Sequence, residues 1–148
     1  MTMIHRCGVA DLDDLAAMRM RLWPGSTVAE HRAEVGDQYG GSRSAAAFLA
    51  RDDGGAVVGF SEATLRHDYV NGCDTSPVAF LEGIYVVPAF RERGTARALC
   101  SAVEAWGRDN GCTELGSDVL LDNLTSHKMH AALGFDERER VIYYRKLL

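Results

Sequence analysis

The order of apolar runs in this chain predicts an α/β (α+β) fold: a mixed, mostly antiparallel central sheet with helices on both faces. Three observations carry that prediction. Two short runs, Ala45 to Arg51 and Ala56 to Thr64, flank Asp52-Asp53-Gly54-Gly55, which reads as a hairpin turn. From Val78 onward strand-like and helix-like stretches alternate, and such alternation requires crossover connections. The segment from about Glu92 to Asn110 places Ala96, Leu99, Val103 and Trp106 on one face, as a helix laid on a sheet does.

Taken in order, Met3 to Val9 reads as a first strand. Asp11, with Asp14 three residues on, is the expected cap of a helix carrying Leu12, Leu15, Met18 and Leu22 at helical spacing. Trp23-Pro24-Gly25 stops it. Ser26 can cap a second short helix through about Val35, and Gly36 to Ser44 reads as a glycine-rich loop before the hairpin. The polar loop His67 to Pro77 leads into the strand Val78 to Val87. After the long helix, which ends at Gly111, a strand Thr113 to Val119, a helix Asn123 to Leu133 and a strand Arg138 to Lys146 complete the pattern. No repeat or linker divides the chain, so residues 1–148 form one expected domain.

With 148 residues, 47% of them hydrophobic, the chain can bury a core without a metal or disulfide staple. Its formal charge of −5 lacks the basic footprint of a general nucleic-acid binder, so no nucleic-acid partner is expected. No run approaches the roughly 18 apolar residues of a membrane span, and the N-terminal stretch has no long apolar region. The expectation is a cytoplasmic protein with no membrane partner. Cys7, Cys73, Cys100 and Cys112 are widely spaced, with no Cys-x-x-Cys pair and no matching histidine spacing, which predicts reduced thiols and no metal.

The most informative stretch is Phe80 to Leu99, a β-type run that breaks at Pro88 and restarts as helix at Gly94-Thr95-Ala96. A helix opening on small residues presents free N–H groups and a positive dipole end, an anion seat. Arg91, Arg93 and Arg97 add charge suited to a pyrophosphate. No Gly-x-x-x-x-Gly-Lys-Ser/Thr or Gly-x-Gly-x-x-Gly is present at this point, which argues against a kinase or a dehydrogenase.

Arg91-Glu92-Arg93-Gly94-Thr95-Ala96 resembles the acetyl-coenzyme A loop of the GCN5-related N-acetyltransferase (GNAT) family, Arg/Gln-x-x-Gly-x-Gly/Ala. Asn123, Ser126, His130 and Gly134-Phe135 resemble that family's later helix, with histidine where tyrosine is usual. Within the family, Trp23-Pro24-Gly25, Arg66 to Asp74, Phe80 to Pro88 and Arg140 to Lys146 together resemble the aminoglycoside 6'-N-acetyltransferases. The resemblance spans nearly the whole chain.

It implies the acetyl-CoA N-acyltransferase fold, acetyl-CoA as co-substrate, no metal, and a homodimer. Cofactor contacts are then expected from Ile84, Tyr85 and Val86, which would bond the pantetheine arm as a strand, and from Glu92, Arg93, Gly94, Thr95, Ala96 and Arg97. Asn123 would touch the coenzyme arm or cap its own helix. Trp23, Tyr69, Glu82, Asp118 and Glu139 match the acceptor-binding segments, and carboxylates suit a polycationic aminoglycoside as arginines suit an anionic coenzyme. A protonated amine must lose a proton before attack, so Glu82 is the expected base with Asp118 assisting. The competing readings are an edge charge or buried ion pair for Glu82, turn chemistry for Asp118, part of a solvated charge run for Glu139, and packing for Trp23 and Tyr69. His130 either protonates the leaving sulfur or packs. Neither motif contains a cysteine to carry acetyl, so direct attack in a ternary complex is expected, with Cys73 and Cys100 the nearest exceptions. Acetylation of a polyamine or protein amine, or a coenzyme A-sensing role without turnover, are the alternatives.

Overall fold

Among the described residues, five strands align in the order in which they occur along the chain. The computed structural model describes residues 1–39 and 44–148. Its elements are β1 (Met3–Arg6), α1 (Leu12–Leu22), α2 (Val28–Tyr39), β2 (Ala45–Arg51), β3 (Val57–Arg66), β4 (Val78–Val86), α3 (Thr95–Asp109), β5 (Leu115–Gly116) and α4 (Leu124–Ala132). The β1–β2, β2–β3 and β3–β4 pairs are antiparallel and β4–β5 is parallel, so the mixed sheet is as expected. Helices cover both faces. Leu12, Leu15 and Val35 of α1 and α2 pack with Leu49 and Phe60 on one side, while Leu99, Val103 and Trp106 of α3 pack with Ala50, Leu81 and Val86 on the other. Among the described residues no helix is long and apolar enough to cross a membrane.

One irregularity in the sheet matters for everything that follows. Along β3–β4, Ala63 faces Leu81 and Glu62 faces Gly83, so Glu82 has no partner across the ladder and is the extra residue of a bulge. The bulge shifts the alternation of β4. Ala79 and Leu81 point to the α3 side before it, Ile84 and Val86 after it. On the opposite face, Tyr85 packs with the α1 and α2 cluster.

Several boundaries differ from expectation, each for a local reason. β1 ends at Arg6, because a short 3-10 turn, Val9–Asp11, follows. Asp11 stands at the N-cap of α1 as expected, but its side chain makes no bond to that helix; its carboxylate accepts from the Gly8 N–H, capping the 3-10 turn, and pairs with Arg51. α2 is capped by Thr27 instead of Ser26: Thr27 Oγ1 accepts from Glu30 N–H at 3.1 Å, and Glu30 accepts from Thr27 N–H at 3.0 Å. This helix runs on to Tyr39, since Val35 and Tyr39 are both buried one turn apart. The Gly40 to Arg43 part of the expected loop lies outside the described residues. α3 starts at Thr95, not Glu92, because Glu92 (φ 60°) and Gly94 (φ 81°) are left-handed and cannot continue a helix.

The last two expected strands change most. β5 is two residues long instead of running from Thr113 to Val119, and residues 138–146 form no strand. The β4–β5 ladder stops at Phe80 opposite Gly116, so the short β5 offers little edge for a further strand of the same chain to join. Ile142, Tyr143 and Tyr144 are left 75%, 81% and 90% exposed.

Candidate active site

Where β5 ends, β4 continues alone, and the backbone of β4 is exposed on that side. Val87 N–H donates to Val58 O on β3, and antiparallel alternation then turns the N–H and C=O groups of Ile84 and Val86 away from β3, toward the gap left by β5. Arg91 Nε takes the Val86 carbonyl at 2.8 Å, and the Arg91 guanidinium lies over the Tyr85 ring. Arg91 is therefore tied to the strand and closes its far end.

Next along the chain is the turn at the head of α3. A Cβ placed on Gly94 would meet nothing within 4 Å, so the seat above the helix N-terminus is open. The first amides of a 15-residue helix point into it, and the positive end of the dipole favours an anion there. Thr95 is buried, so it offers this seat its backbone and not its side chain. Arg93 stacks on Phe90, and Arg97 donates to Ala132 O at 2.5 Å, which ties α3 to the end of α4. Asn123 caps α4, its Oδ1 accepting from Ser126 N–H at 3.2 Å, so the capping role expected as one alternative is occupied.

On the other side of the gap lie the carboxylates. Glu82, thrown out of the ladder by the bulge, is part-exposed; its Oε1 accepts from Thr64 Oγ1 at 2.6 Å and from Arg66 Nη2 at 3.0 Å. Neither bond uses Oε2. Asp118 lies two residues beyond β5, and extending the Phe80–Gly116 register by two places it level with Glu82, at the point where the strands part. It is exposed. Tyr69, 75% exposed, donates to Glu139 at 3.5 Å, and so brings the 67–77 loop to the segment after α4. Trp23 packs across Gly83, the residue after Glu82: a Cβ on Gly83 would lie 2.5 Å from the indole. Only a glycine here lets the indole lie on the strand beside the bulged carboxylate. The structure thus gathers Trp23, Gly83 and Glu82 in one place and Tyr69 with Glu139 in another.

His130 occupies a defined position. Its Nδ1 donates to Ser126 O at 2.7 Å, leaving Nε2 to accept from Ser117 Oγ, also 2.7 Å away, and its ring packs edge-on to Phe135. Ser117 follows directly on β5, at the parting of the strands. Sequence reading missed this serine, and missed a buried charge network of Arg19, His31 and Glu62 beneath Trp23. A signal existed: Arg19 falls on the apolar stripe of α1, and Glu62 interrupts the apolar run of β3 with the opposite sign.

The cysteines are poor acyl carriers. Burial raises the Cys100 thiol to about 11, and burial with Glu114 and Asp74 nearby raises Cys73, so neither supplies a thiolate readily.

A family model described as "Acetyltransferase (GNAT) family" matches residues 12–135. The chain is 51% identical to the aminoglycoside N(6')-acetyltransferase type 1 of Salmonella typhimurium, covering 97% of both chains, and 49% identical to that of Serratia marcescens, covering 99% of both. Among solved structures it resembles AAC(6')-Iy in complex with the bisubstrate analog CoA-S-monomethyl-acetylneamine, with a TM-score of 0.93 and 45% identity over 100% of this chain and 99% of that one. The overall fold is thus shared with a solved acetyltransferase from end to end, and this chain belongs to the acetyltransferase (GNAT) family.

Proposed function

We propose that this protein transfers the acetyl group of acetyl-CoA to the 6'-amino group of aminoglycosides, and so confers resistance to them. The observation that carries the reading is the end-to-end likeness to aminoglycoside N(6')-acetyltransferases, at 51% identity. Acetyl-CoA brings an acyl group on a thiol that leaves without much acid assistance, a thiol pKa being about 8.5. The backbone of Ile84 and Val86 holds its pantetheine arm, with the Val86 N–H polarising the thioester carbonyl, while the expected Tyr85 contact is corrected because its backbone groups face β3; Glu92, Arg93, Gly94, Thr95, Ala96 and Arg97 form the phosphate seat. The open space over Gly94 fits that role.

For the acceptor, Trp23 and Tyr69 supply aromatic walls, and Glu82, Asp118 and Glu139 supply the charge that draws a polycation. Glu82 takes the proton of the 6'-ammonium, directly or through water, with Asp118 assisting. The fixed Glu82 Oε1, held by Thr64 and Arg66, supports this assignment, since it leaves Oε2 to face the acceptor. Attack is direct, in keeping with raised thiols at Cys73 and Cys100.

The test is release of coenzyme A thiol from acetyl-CoA with kanamycin, with its 6'-hydroxyl analogue, with spermidine and with a lysine peptide. Release only with the 6'-amine is the expected result. Release with spermidine or the peptide instead would assign a different acceptor, and binding without release would make the chain a sensor.

We also propose a cytoplasmic homodimer. Val141, Ile142, Tyr143 and Tyr144 form an apolar stretch exposed in the single chain, and Leu120, Leu121 and Leu124 are likewise exposed; such surface is what a second copy covers. Light scattering is expected to give twice the 16.2 kDa chain mass. Removal of residues 138–148 is expected to give the monomer, and a monomeric full-length chain would refute the dimer.

A further inference from the structure

Beneath Trp23 lies a set of buried polar groups, linked to solvent only through Glu34. Arg19 is 7% exposed, His31 2% and Glu62 2%. The Arg19 guanidinium is fully directed: Nη1 donates to both Glu62 oxygens at 2.9 Å, Nη2 to Glu34, and Nε to His31 Nδ1 at 3.2 Å. Because Nδ1 accepts, the His31 proton resides on Nε2, which donates to the Trp23 carbonyl at 2.9 Å. The same groups hold the indole. Arg19 Cζ is 5.0 Å from the ring centroid, and the His31 ring lies 6.4 Å away at 30°; Phe60 meets the indole edge-on at 6.0 Å.

From this geometry we propose that Arg19 and His31 are positioning residues that fix Trp23 against Gly83 and thereby set how tightly the aminoglycoside is bound. The inference deepens the acceptor reading of Trp23 given above and rests on it. Trp23 follows the last residue of α1 and precedes Pro24-Gly25, a place where a chain has many conformations. Its carbonyl would otherwise be left to water. The line Glu62–Arg19–His31–Trp23 O converts that loop residue into an extension of the sheet, because Glu62 sits on β3 directly opposite Gly83, the residue the indole covers. The backbone and the ring of Trp23 are thus referenced to the same point of the sheet, one residue from Glu82. An aromatic wall fixed in this way is preorganised for a sugar ring, and loses no freedom on binding.

His31→Leu removes the Arg19–His31–Trp23 connection, and His31→Gln restores it, since a glutamine amide can accept from Arg19 Nε and donate to the Trp23 carbonyl. For His31→Leu the expected result is an aminoglycoside KM raised about tenfold, with the acetyl-CoA KM and kcat near wild type. His31→Gln is expected to return the KM to within about twofold of wild type. Should His31→Leu fail to fold, Arg19→Lys keeps a cation against Glu62 but has no fork to reach His31, and the same rise in KM is expected. Unchanged aminoglycoside KM in the folded variant, a rise in acetyl-CoA KM of equal size, or no rescue by glutamine overturns the proposal. Wild-type protein that releases no thiol with any aminoglycoside overturns the acceptor reading and this inference with it; wild-type release with indifferent variants overturns this inference alone.

Discussion

Glu82→Gln is expected to lower kcat/KM for aminoglycoside acetylation by about 10² to 10⁴, the usual contribution of a positioned proton acceptor, with little change in the acetyl-CoA KM. The fold should survive the substitution. Glu82 sits in a bulge with its side chain 28% exposed, and a glutamine oxygen still accepts from Thr64 and Arg66. What is lost is the capacity to take a proton from the 6'-ammonium. The neighbouring carboxylate, Glu62, cannot substitute: it is 2% exposed and both its oxygens are held by Arg19. Steady-state thiol release at saturating acetyl-CoA measures the effect. A variant within threefold of wild type would remove Glu82 from the chemistry and move the proton to Asp118 or to solvent.

Two glutamates on adjacent strands, one a candidate base and the other structural, illustrate what sequence could and could not reveal. The hairpin β2–β3, the long helix α3 and the break at Pro88 were legible because turn chemistry and helical periodicity are local. Glu82 was legible as a charge in an apolar strand, with the resemblance to the family adding the role proposed for it. The bulge that turns Glu82 out of the ladder was not, because a bulge is a property of two strands' register and appears in neither strand's pattern alone. Arg19, His31 and Glu62 were illegible as a group for a similar reason: they lie on α1, α2 and β3, and only packing brings them together. The expected strand from Arg138 to Lys146 failed in the opposite sense. Its composition is strand-like, but a strand also needs an available edge, and β5 ends after two residues.

Arg19→Ala is expected to destabilise the fold by about 3–5 kcal/mol near pH 7.5, the cost of stranding a buried carboxylate, and to lower the melting temperature by on the order of 10 °C. The pH dependence of that loss identifies its cause. Burial already raises the Glu62 pKa above its ordinary value, with Arg19 opposing the rise. A carboxyl whose native pKa lies above its unfolded one adds stability below the unfolded value, and that stability is lost as pH rises through the native value. Removing Arg19 removes the opposing charge and raises the native pKa further. The variant should therefore fall furthest behind wild type at high pH and recover part of the difference toward pH 5, as Glu62 takes up a proton. Urea titrations at pH 5, 6.5 and 8 measure this, and a deficit independent of pH would mean that lost packing of the Arg19 stem, not a stranded charge, is responsible. The paired change Arg19→Met with Glu62→Leu strands nothing, and stability is expected to return to within about 1 kcal/mol of wild type or to exceed it. The aminoglycoside KM should nevertheless stay raised, because His31 has lost the donor that fixes its tautomer. Stability and substrate affinity would then separate in one protein, which is what a charge network retained for positioning predicts and one retained for stability does not.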